Sequence, residues 1–160
     1  MKPPSEIAKL LDTPESPELG PGPRKGVKPE KVLNEQLRAL GANDLLRAAV
    51  LLWHDHLDAA HEIVQNIETP DGSYIHAIIH RREPDYSNAK YWFHRVGNHP
   101  CFAELAQRVE DPKVSKGQWD PFAFVDLCAC SDPANDQSLR DIQALEIQLL
   151  AEHLASNSQV

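Results

Sequence analysis

The chain has 160 residues, of which 41% are hydrophobic and 25% charged, and 24 acidic against 16 basic residues give a formal net charge of -8. This size suits one globular domain with a hydrophobic core. The acidic balance argues against general nucleic-acid binding, which needs a positive surface to displace counterions from phosphates. Because no stretch is apolar enough for a membrane span or a signal peptide, we expect a cytoplasmic protein that binds neither nucleic acid nor membrane.

The N-terminal part of the chain differs from the rest in composition. Residues 1–29 hold seven of the 13 prolines and three of the seven glycines. Ser5 is expected to cap a short helix, whereas residues 12–28 are predicted to lack regular structure and to contribute little to the core. We interpret residues 1–28 as an extended arm that lies on the body, lies on a second subunit of a homo-oligomer, or stays disordered. Residues 29–160 form the helical domain in this interpretation.

Helical periodicity describes the apolar segments that follow. A first helix is predicted over 30–40, and Asn43 is expected to cap the longest helix, over 44–67. Thr69-Pro-Asp-Gly is predicted to be a turn, after which Ser73 caps a helix that ends at Pro84. Further helices are predicted over 88–96, 101–110, 122–130 (capped by Asp120) and 138–155. The prediction is an all-α fold, a single-domain multi-helix bundle with an extended Pro-rich N-terminal arm.

The reactive side chains concentrate in residues 74–99, which contain four of the eight histidines. On a helix His76, His80 and Glu83 lie at positions i, i+4 and i+7 and share one stripe. The turn before this helix is short, so the preceding helix should pack antiparallel to it and bring His56 or His61, together with Asp58, near the stripe. Imidazoles and carboxylates from facing helices are typical metal ligands in bundles. We therefore predict His61, His76 and His80 as ligands of a metal ion.

The leading functional hypothesis is a metal-dependent hydrolase. Zinc, nickel, manganese or iron would suit such ligands, and the bound metal would activate water. Glu83 is then a ligand or general base, and Asp85 is a candidate general base that helix capping explains equally well. His56 is expected to be hydrogen-bonded in the core and His54 to face solvent. A purely structural polar network remains the alternative for the cluster.

Basic residues of the same segment suggest a rival function. Five charged or polar residues would bind a small anionic ligand near the start of the next helix: Arg81, Arg82, Asn88, Lys90 and Tyr91. Ion pairing of these residues with the chain's acids is the other interpretation. The rival function is thus a non-catalytic module for an anionic ligand or a partner protein. Asp126 is expected to need a partner such as Arg82, Arg95 or a histidine.

Two resemblances accompany these residues. Residues 76–97 read H-A-x-x-H-R-R-E-x-D-x-S-N-x-K-Y-W-F-x-R-V-G, and with Asp-Pro-Phe-Ala-Phe-Val-Asp at 120–126 they resemble a group of uncharacterised microbial proteins. That resemblance covers residues about 50–130 and implies no activity. A histidine that faces H-x-x-x-H in a helical protein also resembles the DinB-type metal-binding bundles. Those bundles place their histidines far apart in sequence, whereas a short turn separates them here.

Overall fold

The structure, a computed structural model, describes residues 4–156, and their side chains from residue 6 onward. Within this range the chain forms helices α1 (Pro4–Leu10), α2 (Glu30–Ala39), α3 (Asp44–Trp53), α4 (Leu57–Val64), α5 (Pro70–Arg82), α6 (Tyr86–Val96), α7 (Pro100–Arg108), α8 (Pro121–Ala129) and α9 (Gln137–Ser156). Its β pairing is limited to one bridge between Ser115 and Trp119. The predicted all-α fold is therefore confirmed, while the cap predicted at Ser5 lies outside the described side chains.

None of the helices within residues 4–156 combines the length and apolar composition that crossing a bilayer requires. Cys101 and Cys128 are buried free thiols and Cys130 is an exposed one. None of these three thiols takes part in a disulfide.

The predicted helix over 44–67 is in fact two helices, and that prediction was wrong. α3 ends at Trp53, α4 begins at Leu57, and Asp55 between them has φ +65°. Aspartate adopts this left-handed conformation more readily than most residues other than glycine. Apolar periodicity continues through the break, so the sequence pattern does not reveal it. The longest helix is α9, with 20 residues.

Two buried arginines hold the break in place. Asp55 Oδ1 accepts hydrogen bonds from Arg24 Nη1 at 2.6 Å and from Arg82 Nη2 at 2.7 Å. The same guanidiniums donate to the last carbonyls of α3: Arg24 to Trp53 O and Arg82 to Leu52 O. The last carbonyls of a helix have no partner in the next turn, so the arginines help to cap α3, together with the Asp55 N–H, which donates to Leu52 O at 3.1 Å. Arg82 therefore has a structural role and no exposed side-chain surface for the predicted anion.

The N-terminal segment, residues 12–28, has no regular structure, as predicted, but it packs on the body of the protein. Leu19 is 4% exposed and belongs to the core, and its N–H donates to Pro133 O. Arg140 of α9 donates to the carbonyl oxygens of Ser16 and Pro17. Leu19 is the one residue of this segment in the hydrophobic core, so the contribution to the core is small, as expected, while hydrogen bonds to buried side chains fix the segment on the body. Carbonyls that regular structure leaves unpaired are satisfied here by buried side chains.

His54 and His56 help to hold the same segment. His54 is fully buried and its Nδ1 accepts the N–H of Lys28 at 3.1 Å, so Nε2 carries the proton donated to Leu10 O at 2.7 Å. Burial lowers the pKa of His54. His56 Nε2 lies 2.7 Å from Lys28 O. His56 is thus hydrogen-bonded as expected, whereas the expectation that His54 faces solvent is wrong.

The central element of the fold is α5, which is buried from Gly72 to Arg82 between α3, α4 and α6. It begins earlier than predicted, because Thr69 rather than Ser73 caps it: Thr69 Oγ1 accepts the Gly72 N–H at 3.1 Å. A Cβ on Gly72 would lie 2.5 Å from Ile67 O. The close approach of the α4–α5 loop therefore requires glycine at this position.

Helical periodicity predicts a core centred on Trp53, Ile63, Ile79, Phe122 and Phe124. Three of these five residues are buried: Trp53, Ile79 and Phe124. Ile63 and Phe122 are only partly buried and pack at its edge. The core prediction is thus right at its centre and wrong at its boundary.

Candidate functional site

The α4–α5 hairpin brings His61, His76 and His80 together. The ring centroids of His61 and His76 are 4.7 Å apart, those of His61 and His80 5.6 Å, and those of His76 and His80 4.8 Å. One ligand nitrogen from each ring lies within 4.8 Å of the other two. Residues four apart on α5 share a face, and the short loop places α4 antiparallel beside it. The structure thus assembles the three side chains that the sequence predicted as metal ligands.

Burial keeps the two α5 imidazoles neutral. His76 is 5% and His80 9% exposed. Burial, with smaller effects from His80 and His61, lowers the pKa of His76 to about 4. The pKa of His80 is also lowered by burial, although Glu83 and Asp85 partly oppose the effect. A neutral imidazole keeps one nitrogen lone pair, which is the form that binds metal ions.

Two ring nitrogens of this cluster make no hydrogen bond. The Nδ1 atoms of His76 and of His80 are both buried without a hydrogen bond. Glu83 Oε1 lies 3.1 Å from His80 Nδ1, as a charged neighbour of that ring. Buried polar atoms in native proteins are normally paired, so unpaired ones require an explanation.

Two carboxylates border the cluster. Glu83 and Asp85 are exposed, and Asp85 Oδ2 lies 3.9 Å from His80 Nδ1. Asp85 precedes α6, but its side chain makes no capping hydrogen bond. It is instead contacted by Asn88 Nδ2 at 3.3 Å, and the same amide lies 3.4 Å from His80 Nε2. The structure therefore favours the site over helix capping as the environment of Asp85.

Trp92 forms the wall of the cluster, which the sequence analysis did not predict. Its indole stacks on His76 with centroids 3.9 Å apart and planes 14° apart. Trp92 lies four residues after Asn88 and therefore on the same face of α6. This spacing is the sequence feature from which its position beside the cluster could have been predicted. The stacked indole restricts rotation of the His76 ring and so limits the directions in which its two nitrogens can point.

Arg81 does not reach the candidate site. Its guanidinium has no exposed surface and donates to Glu146 Oε1 at 2.7 Å and to Gln143 Oε1 at 3.1 Å. Tyr74 donates its hydroxyl proton to the second oxygen of Glu146 at 2.9 Å. This buried network joins α5 to α9. Like Arg82, Arg81 is structural, contrary to the predicted anion site.

The other predicted anion ligands are also dispersed. Lys90 pairs at 2.7 Å with Asp126 of α8, and Asp126 is exposed, so the expected partners of Asp126 were wrong. Tyr91 is 53% exposed and contacts Arg95 through its hydroxyl. Of the five predicted residues, Asn88 alone lies beside the histidines.

A second histidine group, which the sequence did not reveal, joins α5, α7 and α9. His99 Nε2 lies 2.6 Å and His153 Nε2 3.2 Å from Asp71 Oδ1. His99 Nδ1 accepts the Cys101 N–H at 3.1 Å, so its proton is on Nε2, which donates to Asp71. This hydrogen bond is the main reason that the pKa of Asp71 is lowered. A metal ion would have to displace the proton, so the geometry favours a structural link.

An apolar groove of about 460 Å³ lies elsewhere, between α6, α7 and α8, where Phe102, Trp119 and Phe122 line it. No histidine or carboxylate lines this groove. This groove therefore offers no candidate metal ligand.

Comparison of the chain with protein-family models, with curated proteins and with solved structures gave no match.

Proposed function

We propose that the protein binds a divalent transition-metal ion through His61, His76 and His80 and uses it in hydrolysis. The observation that carries this proposal is the pair of buried, unpaired Nδ1 atoms in rings that stay neutral. A bound cation would use imidazole lone pairs that otherwise lack partners.

The contrast with the Asp71 group supports a metal rather than a hydrogen-bonded network. In that group, Nε2 of His99 and Nε2 of His153 lie 2.6 Å and 3.2 Å from Asp71 Oδ1, and His99 Nδ1 accepts the Cys101 N–H at 3.1 Å. At the candidate site His76 Nδ1 is buried without any hydrogen-bond partner, whereas His80 Nδ1 has the Glu83 carboxylate at 3.1 Å. Two groups of similar composition thus differ in the property that metal binding requires, which is a free lone pair.

The ligand set also supports a catalytic metal. Three protein ligands leave a coordination position for water, and the metal would lower the pKa of that water. Asp85 or Glu83, each with an oxygen within 4 Å of His80 Nδ1, would accept the proton of that water. Imidazole ligands suit zinc, nickel or iron and, with a carboxylate, manganese.

The rival function, a module that binds an anion or a partner protein, has less support. It depended on Arg81 and Arg82, and both guanidiniums are fully buried in ion pairs with Glu146 and Asp55. Withdrawing Arg81 would leave the buried Glu146 carboxylate without a counter-charge, and withdrawing Arg82 would break one of the two ion pairs of Asp55, so neither arginine is available to a ligand.

The metal content of the purified protein tests the proposal. We expect about one transition-metal ion per chain, because the cluster offers one set of three ligands. His61→Ala should abolish this content, and His61 is only partly buried, so the variant should fold. His94→Ala is the matched control, because His94 is exposed and contacts Phe122 rather than the cluster. Equal metal content in both variants would contradict the proposal.

Hydrolysis is tested separately with the zinc-loaded protein and a panel of chromogenic esters and phosphate esters. We expect turnover that depends on zinc and that falls by about 100-fold in Asp85→Asn or Glu83→Gln, the range in which general-base catalysis contributes. Metal binding without turnover of any substrate in the panel would favour a binding or structural role.

A further inference from the structure

The charges around the histidine cluster are unevenly distributed. Its rim carries the exposed carboxylates of Glu83 and Asp85, at 3.1 Å and 3.9 Å from His80 Nδ1. These are the charged side chains, apart from the histidines, that act most strongly on His80. The immediate surroundings of the cluster are therefore acidic.

The basic side chains of residues 74–99 are all committed to other acids. Arg81 and Arg82 are buried, and Lys90 and Arg95 pair at 2.7 Å and 3.7 Å with Asp126 and Glu68. The Arg95 guanidinium also lies over the Trp92 ring, 5.3 Å from its centroid. Sites that recognise phosphate or carboxylate normally present a free guanidinium or ammonium to it. This segment presents none.

The charges in such a site would balance once a divalent ion is bound. Three neutral imidazoles add no charge, and the two carboxylates compensate the two positive charges of the metal. An approaching anion would then gain no net attraction and would meet two carboxylates at short range. An uncharged molecule would not be repelled by the two carboxylates and could pack against Trp92, which is partly exposed.

On the basis of the proposed function, we propose that this site takes uncharged substrates and rejects phosphate esters and other anions. Glu83 and Asp85 are the residues that determine this selectivity. The inference reverses the anionic ligand expected from the basic residues, because the fold places those residues elsewhere.

Spectroscopic titration of the cobalt-loaded protein tests the inference without any measurement of turnover. Azide and inorganic phosphate serve as anionic probes, and imidazole, at a pH where it is uncharged, serves as the neutral probe. The decisive variant is Glu83→Gln/Asp85→Asn, which removes both rim charges and keeps the side-chain shapes. Its matched control is Glu35→Gln/Glu104→Gln, which removes two exposed charges from α2 and α7.

We expect the rim variant to bind azide and phosphate at least about tenfold more tightly than wild type, as loss of two nearby like charges predicts, while imidazole affinity changes by less than about twofold. The control should match wild type for all three probes. Asp85→Asn alone should give a smaller shift in the same direction, which keeps the test available if the double variant binds cobalt poorly.

Unchanged azide and phosphate affinities in a cobalt-loaded rim variant would overturn the inference and leave the metal site standing. A gain of equal size in the control would also overturn it, because net charge rather than the rim would then be responsible. Failure of the wild-type protein to bind cobalt would overturn the proposed function and this inference together.

Discussion

The low pKa of His76 makes the stability of the metal-free protein sensitive to mild acid. The folded pKa is about 4, whereas an unfolded histidine has a pKa of 6.5. The unfolded chain therefore binds a proton more tightly than the folded chain does. The contribution to stability is fully present above the unfolded value and is lost as the pH falls from about 6.5 toward 4.

The difference between the two pKa values sets the size of the effect. At about 1.4 kcal/mol per pKa unit, His76 alone accounts for a loss of about 3 kcal/mol in the free energy of unfolding below pH 4, and for about 2 kcal/mol of it by pH 5. Burial also lowers the pKa of His80 and of His54, so the wild-type loss should exceed this figure.

Urea unfolding at several pH values, with EDTA present to remove metal, measures the effect. His76→Leu keeps a side chain that fills the space and removes the titrating ring, so it should lose about 2 kcal/mol less than wild type between pH 7.5 and 5. His94→Leu, at an exposed histidine, should retain the wild-type pH dependence. An NMR titration of His76 that gives a pKa between 6 and 7 would refute the reasoning.

Two further predictions concern the fold around the site. Asp55→Asn leaves the buried Arg24 and Arg82 without a counter-charge and should cost about 3 kcal/mol in urea unfolding, whereas Asp58→Asn, at an exposed position three residues on, should cost less than about 0.5 kcal/mol; equal effects would show that the break does not depend on this ion pair. Asp120 accepts the N–H groups of Phe122 and Ala123, so Asp120→Ala should lower the free energy of unfolding by about 1 kcal/mol, and a neutral result would remove capping as its role.

The sequence by itself determined the features that depend on local spacing. Helical periodicity predicted an all-α fold, and Asn43 and Asp120 cap the helices that their positions indicated. His76 and His80 were placed on one face because four residues make about one helical turn. The short loop then indicated that a histidine of the preceding helix, His56 or His61, would face them, since it leaves α4 and α5 few arrangements other than an antiparallel hairpin.

The tertiary structure alone decided where the charged side chains go. Arg81 and Arg82 are neighbours in sequence, yet they pair with Glu146 and Asp55, which are 65 and 27 positions away. The chain breaks at Asp55 after α3 although the apolar sequence pattern continues past it. The two arginines that stabilise this break, Arg24 and Arg82, come from distant segments of the chain. The residues next to each arginine in the sequence do not indicate which distant carboxylate it will pair with. Burying a charge is costly unless a counter-charge meets it, so packing of the whole chain selects the pairs and decides which basic residues remain for a ligand.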